Sequence, residues 1–197
     1  MSLLTAKAIF CAILLAAAAS GEGTVEGQGT GRRFISEKYR FSMAVPVGWG
    51  VSTRLDTPVY FYAPNSGRFI QDSLPEGGAV ITVAAHDTVS GLSKSAATPK
   101  DWALLDMRGV ASGSPSIESF EMPKISRVSQ AATSSYDEVT LSPDQRTQHS
   151  IAIFLEFEGR LFAAHLNYNA NDPNGPALKR VFFEAVRSLR PLEKTER

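Results

Sequence analysis

Between Tyr39 and Trp49 (YRFSMAVPVGW) apolar residues occupy every second position, with Tyr39, Phe41, Met43 and Val45 alternating with Arg40, Ser42 and Ala44. A period of two is that of a strand with one face on a core. Pro46 cannot donate to a ladder and Gly48 lets the chain turn, so a corner is expected there, with Trp49 leading the next extended run. The alternation recurs at Val59, Phe61 and Ala63 against Tyr60 and Tyr62, and Pro64, Asn65, Ser66 and Gly67 supply turn chemistry after it. Residues 69–78 lack a period and read as a long loop. Ala79–His86 is almost wholly apolar or β-branched, as in a central strand covered on both faces. Ile125–Ala132 and Ser135–Leu141 read as two further strands.

The clearest strand pair follows. His149–Phe157 and Arg160–Tyr168 flank Glu158 and Gly159, which suit a two-residue hairpin loop. In that register, opposed residues have numbers summing to 317. One face then carries Ile151, Ile153, Leu155, Phe157, Phe162, Ala164 and Leu166, and is expected to be the core face. The other carries Ala152, Phe154, Glu156, Leu161, Ala163 and His165.

Two helices are expected. Thr98 can cap the first, Pro99 suits its first position, and Asp101 stands near its positive end. Ala103, Leu104, Met107 and Val110 share one face of it, and Trp102 lies off that stripe. The second follows the lead-in Asp172–Pro176, with Leu178, Val181, Phe182, Ala185, Val186 and Leu189 at helical spacing and Pro191 as its stop. Each buried Phe or Leu on that stripe contributes ~1.5–3 kcal/mol.

The first residues change the picture of the whole. Lys7, the apolar run Ala8–Ala19, and the small residues Ala17 and Ala19 have the form of an export signal over residues 1–20. The run is shorter than the ~20 residues of a spanning helix, and a retained N-terminal anchor is the alternative. Residues 21–33 are glycine-rich and read as a flexible tether, residues 34–192 as a single folded domain, and residues 193–197 as a polar tail. Without the leader no cysteine remains, which excludes disulfides, a thiol nucleophile and cysteine-ligated metals. Basic and acidic residues then number 19 and 20. That balance points to neither nucleic acid nor an anionic membrane as partner.

The order of parts resembles a known family. A Tyr39-x-Phe41-Ser42 strand, the Pro46-x-Gly48-Trp49 corner, a run of strands, one helix, the late Gly159-Arg160-Leu161-Phe162 hairpin and a closing helix ending in Ser188-Leu189 are similar to the PsbP-like superfamily. That superfamily includes the PsbP subunit of photosystem II, a Ran-binding nuclear transport factor and bacterial DcrB-type envelope proteins. Arg40 stands where its members often have glycine. The resemblance implies an α+β fold over residues 34–192, an antiparallel sheet sandwiched between helices, and a role in binding or supporting protein assemblies. It transfers no functional residue.

Catalytic motifs are missing from the sequence. It has no G-x-S-x-G elbow, H-E-x-x-H, phosphate-binding glycine loop or dinucleotide fingerprint. Of His86, His149 and His165, the hairpin register puts the last two on opposite faces, and His86 with Asp87 at a strand end is the least bland pair. A metal there would need further ligands, so no cofactor is expected. Tyr60 and Tyr62, followed by Arg68 and Phe69, could anchor a partner, unless a helix covers them as core. The expectation is therefore an exported, periplasmic or secreted, non-catalytic domain that binds a protein or another envelope component. A small-molecule or metal-binding module is the second reading. A hydrolase is the third, and would require a serine hydrogen-bonded to a histidine with an oriented carboxylate.

Overall fold

A computed structural model describes residues 23–52, 59–66, 74, 76–87, 98–108, 128–139, 147–157 and 160–192. Ten strands and two α-helices are described: β1 (Thr24–Glu26), β2 (Arg33–Ser36), β3 (Phe41–Ala44), β4 (Gly50–Ser52), β5 (Val59–Tyr62), β6 (Ala79–Asp87), α1 (Pro99–Arg108), β7 (Val128–Val139), β8 (Thr147–Phe157), β9 (Arg160–Asn169), α2 (Gly175–Arg187) and β10 (Arg190–Pro191). They form an antiparallel six-stranded sheet, β4-β5-β6-β9-β8-β7, and an antiparallel four-stranded one, β1-β2-β3-β10.

The hairpin anchors the large sheet. Every β8–β9 pair, from Gln148 opposite Asn169 to Phe157 opposite Arg160, keeps the expected register. Its first face is wholly buried, and with Val59, Phe61, Ile81 and Val83 it forms the main core. The stripe of α2 closes on that face through Leu178, Phe182, Ala185, Val186 and Leu189. So does the small sheet, whose Phe34 meets Phe61 edge-on at 5.8 Å while Phe41 meets Phe162 at 5.9 Å. The opposite face carries a second, smaller cluster of Ala103, Ala152, Phe154 and Ala163, with Trp102 and Ala132 packed against it.

The layering expected from the sequence is present, with one addition. One side of the large sheet is covered by a small sheet as well as a helix. Residues 24–26, expected to belong to the tether, pair with Arg33–Ile35, so the ordered fold starts upstream of Phe34. Residues 128–139 form one long strand with an irregularity between Val128 and Gln130, in place of two short ones. On α1, Ala103 of the expected stripe is buried, but Leu104 is exposed and Trp102 packs inward instead, while the Met107 side chain and Val110 lie outside the described residues. Thr98 caps it as expected: its Oγ1 accepts from Asp101 N–H at 3.2 Å, and Asp101 Oδ2 accepts from Thr98 N–H at 3.0 Å.

The corner after β3 turns on Gly48, whose φ is +78°, with Trp49 N–H donating to the Pro46 carbonyl at 3.0 Å. Trp49 is buried in the main core. The strand begins two residues later than Tyr39, because Arg40 adopts φ +53° and both it and Tyr39 stay in the preceding turn.

Candidate functional site

Asp137 on β7 lies directly opposite His149 on β8, and Ser135 stands two residues along on the same face. Their side chains form a chain. His149 Nδ1 is 2.6 Å from Asp137 Oδ1, and its Nε2 is 3.3 Å from Ser135 Oγ. The Tyr168 ring meets the imidazole edge-on at 5.2 Å. With the proton on Nδ1, His149 donates to the carboxylate and accepts from the hydroxyl, the tautomer a Ser-His-Asp relay uses.

Exposure runs the wrong way for hydrolysis. Ser135 is fully buried at 0 %, while the Asp137 side chain is 57 % exposed. A nucleophile must meet a carbonyl carbon, and the carboxylate of a working triad is the buried member. Here the hydroxyl points away from solvent, so the trio is a cross-strand brace at the β7–β8 edge.

The sequence did not bring these three together. Their juxtaposition depends on β7 pairing with β8 across residues 140–146, for which no turn rule sets a register. From the Gln130–Glu156 pair to the Val139–Thr147 pair the numbers of opposed residues keep a constant sum, and that unbroken register is what sets Asp137 against His149.

The expected site residues are dispersed. Tyr60 and Tyr62 lie on the second face of the large sheet, opposite Thr82 and Val80, and are half-buried. The Tyr62 ring lies over Gly50 on β4, where a side chain would collide with it. The helix on that face, α1, packs on β7 and β8 at the far side of the sheet from these tyrosines. His86 and Asp87 end β6, opposite Leu161 and Arg160, and their side chains lie outside the described residues, as do Arg68 and Phe69 altogether. His165 lies edge-on to Phe154 at 5.7 Å on the face opposite His149, so these two imidazoles do not converge. Among the described residues no group of His, Cys, Asp and Glu is placed to hold a metal ion, and no helix is long and apolar enough to cross a membrane.

The joint between α2 and the small sheet is held by several side-chain hydrogen bonds. Ser188 Oγ accepts from Ala44 N–H at 2.7 Å and donates to the Ala185 carbonyl at 2.6 Å. Arg33 donates to the Ser188 carbonyl at 2.9 Å and to Ser42 Oγ at 3.0 Å. Burial, and then the nearby Arg190 charge, push the Arg33 guanidinium below its ordinary pKa. Arg190 itself donates to the carbonyls of Arg187 and Leu189, both at 2.7 Å.

The chain has a Mog1p/PsbP-like α+β fold. The Ran-binding protein Mog1p of Saccharomyces cerevisiae superposes with a TM-score of 0.52 at 12% identity, over 87% of this chain and 98% of that one. The cyanobacterial PsbP of Synechocystis gives 0.48 at 15% identity over 84% of this chain and 94% of its own. A crystal structure from Bacteroides thetaiotaomicron gives 0.48 at 16% identity over 85% of this chain, which spans half (50%) of that longer one. No protein-family model and no curated protein sequence matches the chain.

Proposed function

We propose that this is an exported, non-catalytic domain whose role is to bind a protein or another component of the cell envelope. The observation that carries the reading is the orientation of the Ser135–His149–Asp137 brace, which seals the hydroxyl bonded to His149 inside the fold. Mog1p, of the same fold, is a Ran-binding protein, so the scaffold is compatible with docking to another protein. Tyr60 and Tyr62 are the anchors assigned to that task, since half-buried tyrosines combine a large apolar ring with a polar tip. Export rests on the leader-like residues 1–20.

Affinity capture from envelope extract, comparing the wild type with a Tyr60→Ala/Tyr62→Ala variant, tests the reading. A co-purifying protein is expected to be retained by the wild type and lost at least tenfold by the variant. Equal recovery of every captured protein removes these tyrosines from the site.

The hydrolase reading is supported by the relay distances alone. Ser135→Ala is expected to leave the turnover of a panel of activated esters unchanged while lowering stability by ~1 kcal/mol through the lost hydrogen bond. A turnover abolished by that substitution would establish an esterase instead.

A further inference from the structure

The net charge near zero conceals a division between layers. The small sheet and α2, residues 23–44 and 170–192, carry eight basic and four acidic residues. The rest of the chain from residue 21 onward carries eleven basic and sixteen acidic ones. One layer is therefore positive and the remainder negative, although neither shows in the total.

The basic side chains point outward from that layer. Phe34, Phe41 and Met43 face the core, so Arg33, Ser42 and Arg190, which alternate with inward residues, face away from it. Arg187 ends α2 beside them and is exposed. Arg33 and Arg190 direct their bonds to neutral oxygens, and none of the three arginines makes an ion pair among the described residues. Glu26, opposite Arg33 on β1, and Glu184, one turn before Arg187, are the acidic groups beside them. Two guanidiniums that repel each other, with no carboxylate paired to either, form a surface suited to phosphate oxygens.

The position of the N-terminus favours a membrane as the source of those phosphates. The apolar run Ala8–Ala19 leads within a few residues into β1, the edge strand of this same sheet. Were that run held in a bilayer, the five Cα steps from Ala19 to Thr24 would keep β1 within ~18 Å of it. Such a tether would hold this sheet at a high effective concentration beside the surface, so that its charges meet lipid phosphates on contact, inside a Debye length of about 8–10 Å.

We propose that the outward surface of the small sheet and α2 docks on an anionic membrane surface, with Arg33, Arg187 and Arg190 meeting lipid phosphates. This surface is separate from the Tyr60 and Tyr62 face, so either assignment can fail without the other.

Vesicle co-sedimentation of the chain beginning at Gly21 tests it, because both hydrophobic clusters lie between Phe34 and Leu189 and are kept whole. Phosphatidylcholine vesicles with added phosphatidylglycerol are expected to bind the protein at low salt and release it at high salt, and pure phosphatidylcholine not to bind. Affinity should fall about fivefold for Arg187→Gln and about twenty-five-fold for Arg187→Gln/Arg190→Gln, and rise for Glu26→Gln. Arg187→Gln and Glu26→Gln change exposed side chains, so they decide the matter even if the double variant folds poorly. Equal binding to both vesicle types, or anionic binding that none of the variants alters, overturns the proposal. Saturation by soluble glycerol phosphate or capture on polyglutamate without vesicle binding also overturns it, assigning the arginines to a free anion or an acidic protein.

Discussion

Arg40 is where residue type and backbone disagree most. Its φ of +53° is a left-handed conformation that costs a residue with a side chain about 1–2 kcal/mol. Bonds with Leu192 offset this, Arg40 donating to the Leu192 carbonyl at 3.0 Å and accepting from its N–H at 2.9 Å. The position is one where the resembled family often has glycine, and the backbone here explains that preference. Arg40→Val is accordingly expected to be less stable than Arg40→Gly by ~1–2 kcal/mol in urea denaturation. Equal stability would mean that the turn re-forms in another conformation. The strand pattern made Arg40 an outward strand residue, since periodicity reports which face a side chain takes and carries no information on the sign of φ.

At the scale of elements, helix α2 is joined to the small sheet mainly through Ser188. Its hydroxyl supplies the acceptor for Ala44 N–H at the end of β3. At the other end of α2, the buried Asp172 accepts from Gly77 N–H at 2.6 Å and from Asn174 N–H at 2.8 Å, tying the approach to β6 to the start of the helix. Ser188→Ala would leave the strand N–H without its partner, at a cost of ~1–3 kcal/mol. The urea midpoint is expected to fall with an unchanged m-value, because the same surface is exposed on unfolding. The helix itself was legible from its unbroken apolar stripe, and so was the β8–β9 hairpin from two faces of distinct character. β7 is not, because its small and polar residues offer no contrast between faces, and its pattern alone suggests two short strands. The same lack of contrast hid the pairing that brings Ser135 and Asp137 to His149.

Over the whole molecule, stability is divided unequally between the two faces of the large sheet. The main core joins the sheet, the small sheet and α2, whereas among the described residues α1 meets the sheet through a small cluster built largely of alanines. Local opening of α1 therefore exposes much less apolar surface than global unfolding. Native-state hydrogen exchange is expected to show α1 amides exchanging by a lower-energy opening than those of β8, β9 and α2. Exchange of all four in one transition would show that the smaller cluster is as firmly coupled as the core. By itself the sequence determined the α+β class, the two hairpin faces, the stripe of α2 and the residues of the main core, because apolar periodicity records which side of an element meets other elements. Only the tertiary structure decided that residues 24–26 join a second sheet, that the basic residues gather on one layer, and that a Ser-His-Asp trio forms with its serine buried. Each of those depends on which strands become neighbours, and that choice is made by long-range packing of segments whose local patterns leave their partners unspecified.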